Sequence, residues 1–145
     1  MRWSDCAVQD LKKYAGIKAS LDNIAERIEL LEMKFTSLKG VQTDKIPVQG
    51  GGSHWEDFLL DNIVERERLQ LLHSADTKLV AVMERGLAVL NKTERLVLDR
   101  FFIHRQRDHI NNLIAELNLE QAQIYRIKDQ ALYKFTIHMY GIEEY

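Results

Sequence analysis

Residues 113–127 read LIAELNLEQAQIYRI, and this stretch decides how the C-terminal third of the chain is expected to fold. Apolar residues lie one helical turn apart on each side of Asn118: Leu113, Leu117, Ile124 and Ile127. Asparagine tolerates a left-handed backbone better than most residues other than glycine, so Asn118 suits a tight turn. The stretch therefore predicts a short helix, a turn at Asn118 and a second helix.

A short helix, a tight turn and a second helix with a polar outer face form the helix-turn-helix arrangement. With Asn118 in the turn, apolar residues fall where that motif buries its side chains: Leu113, Leu117, Leu119, Ile124 and Ile127. The second helix is predicted to run from Glu120 to about Tyr140, with Gly141 as its stop. The residues expected to face outward along it are Glu120, Gln121, Ala122, Tyr125, Arg126 and Asp129.

The outward residues have the chemistry of a surface that reads DNA. Glutamine and arginine can hydrogen-bond base edges in the major groove, and short or aromatic side chains can contact thymine methyl groups. Four basic residues are available for phosphates, where charge fixes register without reading sequence: Arg105, Arg107, Lys128 and Lys134. The alternative is a helical hairpin whose polar face is simply solvated. The spacing of the apolar residues alone favours neither interpretation.

Upstream of this motif, residues 91–94 read NKTE and predict a helix start. In such a capping box, Asn91 and Glu94 each accept a hydrogen bond from the other's backbone N–H. The helix is predicted to reach about His104, with a polar break at 105–109 before the short helix. Residues 91–140 carry eight lysines and arginines against six acids, a mild positive balance in a chain of net charge −2.

The first part of the chain has the apolar stripe of a coiled coil. The stripe alternates steps of three and four residues without a miss: Tyr14, Ile17, Leu21, Ile24, Ile28, Leu31, Phe35 and Leu38. This pattern predicts one helix over about 4–39, in which Gly16 costs about 1 kcal/mol relative to alanine. Gly40 is the expected C-terminal stop.

Residues 41–54 break the pattern with Pro47 and the glycines of 50–52, and are expected to form a flexible connector. The glycines lack the Gly-Lys-Ser/Thr sequence of a phosphate-binding loop. A second helix is predicted from near Ser53, with Glu56 completing a capping box, to about Leu90. Its apolar stripe is interrupted by polar residues: Asn62, Arg66, His73 and Asp76. The two stripes are expected either to meet in one antiparallel hairpin or to meet those of a second copy.

Composition favours an all-α protein, because Pro47 is the one proline in 145 residues. The expected architecture is a long helical hairpin or coiled coil in a 1–90 domain, followed by a helix-turn-helix bundle in a 91–145 domain. The lone Cys6 cannot form an internal disulfide, which fits a reducing cytoplasm. No apolar run approaches the roughly 18 residues needed to span a bilayer, and the first residues do not resemble a secretory signal. A cytoplasmic protein with no membrane partner is therefore expected.

Neither a catalytic nor a metal site is predicted from the sequence. His73 and Asp76 lie one turn apart, but no third ligand lies at helical spacing nearby, which favours a surface hydrogen bond. No serine or cysteine stands in a nucleophile motif, and no carboxylate pair stands out from the helical charge pattern. The expectation is a protein that is not an enzyme and needs no cofactor.

The segment from Leu90 to Phe135 resembles region 4 of sigma-70-type factors. The pattern L-x3-E-R-x-V-L-x-R-F is present as Leu90, Glu94, Arg95, Val97, Leu98, Arg100 and Phe101. The pattern Q-I-Y-R-I-x3-A-L-x-K-F spans Gln123 to Phe135 and is similar to the recognition helix of related phage proteins. The charged coiled-coil helix and the Gly-rich VQGGGSH segment also resemble RinA/ArpU-type phage transcriptional regulators.

This chain departs from the usual motif at two positions. The motif usually has alanine or glycine where its helices cross closest, and glycine in the turn. Here those positions hold Ile114 and Asn118. The larger side chain of Ile114 is expected to widen the crossing or to shift the register by one residue.

The resemblance implies control of late phage or prophage genes in a bacterial host cell, by binding double-stranded promoter DNA and contacting host RNA polymerase. A coiled coil in front, in place of the segment that melts promoters, implies an activator or a partial sigma-like subunit. One alternative is a phage DNA-packaging protein of the small-terminase kind, although the DNA-binding unit usually comes first there. The other is a coiled-coil interaction protein that binds no DNA.

Overall fold

A computed structural model of the protein describes residues 2–42 and 52–143. The described residues form five α-helices and one π-helical turn: α1 (Trp3–Gln42), α2 (Gly52–Ala88), α3 (Lys92–Leu98), the π-helical turn (Asp99–Ile103), α4 (His109–Leu117) and α5 (Gln121–Tyr140). No strand occurs in the two described ranges. The predicted all-α class is confirmed.

Contacts divide the chain into two compact units. Unit 1 comprises Met1–Lys18 and Lys78–Tyr145, and unit 2 comprises Ala19–Thr77. Both long helices contribute to both units. The division into two domains at residue 90 stays a prediction.

The main core of unit 1 brings together residues that are distant in sequence. Its buried members come from the start of α1, the end of α2, and helices α3 and α5: Ala7, Leu11, Leu87, Leu90, Leu98, Ala131, Leu132 and Phe135. Gly86 lies against Phe135, where an added Cβ would come within 3.0 Å of the ring. At the edge of this core, the Tyr140 hydroxyl donates a hydrogen bond to Asp10, and its ring lies 5.0 Å from that of Trp3.

A second core within unit 1 is built by the C-terminal elements. Its buried members are Val97 of α3, Phe101 of the π-helical turn, Leu113 of α4 and Ile124 of α5. Partly buried apolar residues pack around them: Leu96, Phe102, Ile110, Ile114, Leu117, Leu119 and Ile127. This second core holds α4 and α5 together and fixes which side of α5 remains exposed.

Unit 2 is an antiparallel pairing of the later part of α1 with the earlier part of α2. The Trp55 indole N–H donates to the carbonyl oxygen of Leu38 at 3.1 Å, and the Asn62 amide donates to that of Leu31 at 2.8 Å. Every stripe residue of α1 from Leu21 to Leu38 is buried or half-buried. Of the two predicted arrangements, the structure has the one in which both stripes meet within a single chain.

The polar residues of α2 are part of its seam, so their interpretation as interruptions was wrong. One line of buried and half-buried α2 positions in unit 2 follows steps of four and three residues: Trp55, Leu59, Asn62, Arg66, Leu69, His73 and Asp76. Asn62 is 7% exposed, and its Oδ1 accepts a 2.9 Å hydrogen bond from Arg66 Nε. The Arg66 guanidinium lies 4.7 Å from the centre of the Phe35 ring. Polar groups can occupy the seam because these contacts satisfy them.

Three predicted helix ends require correction. Gly40 lies inside α1, because the cost of one helical glycine, about 1 kcal/mol, is small for a helix held by a long seam. Helix α2 begins at Gly52, so Ser53 lies within its first turn, and it ends at Ala88. The predicted connector at 41–54 is therefore helical at both of its ends, while 43–51 lies outside the described residues.

Candidate nucleic-acid interface

The predicted capping box opens α3. Asn91 Oδ1 accepts the backbone N–H of Glu94 at 2.8 Å, and the backbone N–H of Asn91 donates to Glu94 Oε1 at 3.0 Å. The second carboxylate oxygen of Glu94 lies 2.9 Å from Nζ of Lys134. Burial alone would raise the pKa of Glu94, but the Asn91 hydrogen bond and Lys134 outweigh it and hold the pKa below its ordinary value. Glu94 therefore stays charged at neutral pH.

A π-helical turn links α3 to the segment before α4. It closes with a 2.7 Å hydrogen bond from the backbone N–H of His104 to the carbonyl oxygen of Asp99. The Asp99 carboxylate also lies 3.0 Å from Arg100 Nη1 and 2.8 Å from His104 Nδ1. Arg100 reaches Glu116 of α4 at 3.7 Å. Wide turns of this kind are rare and often occur at functional sites.

The turn between α4 and α5 has the geometry predicted for it. Asn118 adopts a left-handed conformation, with φ 55° and ψ 38°. Its backbone N–H donates to the carbonyl oxygen of Ile114 at 2.9 Å, which closes α4. The backbone N–H of Glu120 then donates to Gln123 Oε1 at 3.1 Å and opens α5. Gly141, at φ 61°, ends α5 as expected.

The inner face of this motif is buried as predicted. Leu113 and Ile124 are fully buried, and the other three predicted inward residues are half-buried in the same core: Leu117, Leu119 and Ile127. Ile114, at the position where the motif usually has a small residue, is itself half-buried there. The five apolar positions therefore hold α4 against α5.

The six residues predicted to face outward are all exposed: Glu120, Gln121, Ala122, Tyr125, Arg126 and Asp129. Tyr125 is the most constrained of them, because its ring packs edge-on against Phe101 at 5.7 Å. Arg126 has no ion-pair partner within residues 2–42 and 52–143. The first three turns of α5 thus present an uncovered polar surface on a rigidly packed helix.

The four predicted phosphate contacts divide into two pairs. Arg105 and Arg107 are exposed on the segment before α4 and line a shallow depression together with His109 and Asn111. Lys128 and Lys134 are instead engaged by the protein itself. Lys128 lies 2.7 Å from Asp129 and over the rings of Phe101 and Tyr125, and Lys134 holds Glu94. The arginine pair is therefore better placed for a phosphate than the lysine pair.

The structure adds residues that the sequence interpretation left out. Gln130 and Tyr133 are exposed and extend the outward side of α5 beyond Asp129. Their spacing from Arg126, four and seven residues, was the signal that could have revealed them. Asp108 also adopts a left-handed conformation, with φ 63°, just before α4. Asp108 directly precedes His109, the first residue of α4.

Within residues 2–42 and 52–143, no group of three His, Cys, Asp or Glu side chains is arranged to hold a metal ion. None of the helices within those ranges combines the length and apolar character needed to cross a bilayer.

Comparison with known proteins yields no relative: no family model, curated protein or solved structure matches the chain.

Proposed function

We propose that the protein is a sequence-specific DNA-binding regulator of transcription that places α5 in the major groove of a duplex. The observation that carries the proposal is the contrast between the two sides of α5. Ile124 on the inner side is fully buried, whereas Gln121, Tyr125 and Arg126 on the outer side are uncovered. The major groove, roughly 12 Å wide, admits a helix presented in this way.

Base reading is assigned to the first turns of α5. Arg126, free of ion pairs with the described residues, can donate two hydrogen bonds to the O6 and N7 atoms of a guanine. Gln121 can pair in the same way with adenine, and Ala122 and Tyr125 can contact thymine methyl groups. Glu120 and Asp129 can accept a hydrogen bond from the amino group of cytosine and disfavour other bases by leaving their charges unpaired.

Positioning on the phosphates is assigned mainly to Arg105 and Arg107. Both lie on the segment that precedes α4, and neither has an ion-pair partner in the described residues. With two arginines as the main proposed phosphate contacts and a net charge of −2, affinity for arbitrary DNA should be low. Two to four phosphate contacts correspond to a slope of about −2 to −4 in log K against log salt.

The biological setting follows from the resemblance to sigma region 4 and to phage regulators. We assign the chain to the control of late phage or prophage genes, acting at promoters with host RNA polymerase as its second partner. The segment from Leu90 to Phe135 carries this assignment.

The first experiment is selection of binding sites from a random duplex pool by the full chain, followed by titration of the selected duplex in fluorescence anisotropy. Arg126→Ala should weaken binding about 5- to 150-fold, as expected for loss of a base contact of ~1–3 kcal/mol. Arg27→Ala, which removes an exposed arginine on α1, is the matched control and should change affinity less than about twofold.

The possible outcomes distinguish a failure of the proposed DNA binding from a failure of the proposed register of α5 in the groove. A pool that enriches no sequence, with flat titrations at low salt, contradicts DNA binding. Enrichment with an Arg126→Ala protein that binds normally contradicts the assigned register while leaving DNA binding in place. A salt slope near zero contradicts the role given to Arg105 and Arg107.

A further inference from the structure

The outer side of α2 in unit 2 carries exposed apolar residues that the hairpin does not use. Leu60, Val64 and Leu71 are 58%, 60% and 74% exposed, and they point away from the seam residues Leu59 and Asn62. Their spacing of four and then seven residues places them in one line along the helix. An apolar line of this kind on a charged helix is typical of a contact surface.

This outer face is self-complementary about a point between Glu67 and Arg68. When two copies of the helix lie antiparallel across a twofold axis through that point, each residue faces the one whose number brings the sum to 135. The facing pairs are Leu60 with Ala75, Asp61 with Ser74, Val64 with Leu71, and Glu67 with Arg68. Apolar positions thus meet apolar ones, and an acid meets a base. Each of these eight side chains is exposed.

We propose that the outer face of α2 binds the same face of a second copy of this chain, with the two helices antiparallel across a twofold axis at residues 67 and 68. Such a contact is isologous, so every pairing occurs twice. Val64 packs on Leu71 of the second copy, and Glu67 pairs with Arg68 of the second copy. Arg68 already binds Glu65 of its own chain at 2.8 Å, and its five N–H donors allow it to hold both carboxylates.

A second copy is favoured over an unrelated helix by this symmetry, which an unrelated partner would not require. It is also favoured over association through the seam, because the stripes of α1 and α2 already meet within one chain. The outer face of α1 is a poor alternative. Its exposed Leu30 and Met33 lie among Glu26, Glu29 and Glu32, so two copies would bring like charges together.

The contact is expected to be weak. Residues 60–75 span about 24 Å of helix at ~1.5 Å per residue, which gives an interface below the roughly 1,200 Å² of stable complexes. We therefore expect exchange between monomer and dimer at about micromolar to tens of micromolar protein.

The test is sedimentation velocity of the full chain from about 1 to about 300 μM without DNA, a range that brackets weak association. A concentration-dependent monomer–dimer equilibrium is expected, and Leu71→Glu should weaken it at least about tenfold. Met33→Glu, at an equally exposed apolar residue of α1, is the control and should leave it unchanged. Circular dichroism of each variant checks that the helices are retained.

Charge reversal tests the antiparallel register itself. Glu67→Arg and Arg68→Glu should each weaken the dimer, because each places like charges across the axis. The double variant E67R/R68E should restore it, because the pairing is then reversed intact. A chain that stays monomeric over the whole range, or forms a larger ring, overturns the proposal, as does a dimer that the double variant fails to restore. None of these results depends on DNA binding.

Discussion

Nζ of Lys134 lies 2.9 Å from Oε2 of Glu94 and thereby joins α5 to the first turn of α3. The Glu94 side chain is almost completely buried, while its other oxygen closes the capping box with Asn91. Lys134 therefore compensates a buried charge, and its removal would disturb the fold as well as any phosphate contact. Arg105 and Arg107 are the cleaner positions at which to measure phosphate binding.

The Glu94 pair predicts a pH-dependent contribution to stability. Because the folded state lowers the pKa of this carboxyl, its contribution is present above the unfolded pKa and is lost as pH falls through the folded value. Glu94→Gln should lower the free energy of unfolding by about 1 kcal/mol at pH 7, and the difference should vanish well below about pH 4. Urea titrations at both pH values measure this. If Glu94→Gln lowered the free energy of unfolding equally at neutral and acidic pH, ionisation of Glu94 would not be the cause. Glu29→Gln, at an exposed position of α1, is the control.

The turn at Asn118 predicts that alanine and glycine substitutions there differ in their effect on stability. Asn118→Ala should lower the free energy of unfolding by about 1 kcal/mol, since alanine has a Cβ and no local polar group to favour the left-handed region. Asn118→Gly should leave stability within about 0.5 kcal/mol of the starting protein, because glycine adopts positive φ without strain. Chemical denaturation of the two variants side by side measures the difference. Equal stability of both would contradict the left-handed turn.

Two helical glycines predict changes of opposite sign. Gly16 has open space around its Cα, so Gly16→Ala should stabilise the chain by up to about 1 kcal/mol through helix propensity. At Gly86 the new methyl group would meet Phe135 Cε2 at 3.0 Å and Met139 Cγ at 3.3 Å. Overpacking there should outweigh the propensity gain and cost about 1–2 kcal/mol net. Thermal unfolding of both variants gives the comparison, and stabilisation by Gly86→Ala would count against this packing of α2 on α5.

Asn62 predicts a cost for removing a polar group from the helical seam. Asn62→Ala deletes the hydrogen bond to Leu31 O, leaves Arg66 Nε without its acceptor and opens a small void. Together these should lower the free energy of unfolding by about 1–2 kcal/mol. Asn23→Ala, at an exposed position of α1, should change it by less than about 0.5 kcal/mol. If the two variants unfold at the same urea concentration, Asn62 does not hold the seam.

Local chemistry made several features predictable from the sequence. The unbroken three-four spacing before Leu38 predicted most of α1, and the NKTE and LNLEQ stretches predicted the start of α3 and the turn at Asn118. Each depends on residues within about one or two helical turns of one another. The exposed face of α5 followed from the same periodicity once the turn residue was fixed.

Features that depend on approach between distant residues were not predictable. Asn62 and Arg66 look like breaks in a hydrophobic stripe until the carbonyl of Leu31 and the ring of Phe35 lie opposite them. Lys128 and Lys134 look like free cations until the Phe101 ring lies beside the first and Glu94 beside the second. Hydrophobicity along the chain contains no information about such partners.

Ala7 and Leu11 are buried in one core with Ala131 and Phe135, which affects the order in which the chain can fold during translation. The Asp10–Tyr140 hydrogen bond closes a loop of 130 residues, so the first turns of α1 emerge early yet cannot be buried until α5 has been translated. Residues 19–77 contain the parts of α1 and α2 that pair with each other, so this unit can form well before α5 is translated. The entropic cost of closing a loop grows only with the logarithm of its length. The time before the start of α1 is buried is therefore set more by the rate of translation than by the time that the two ends need to find each other.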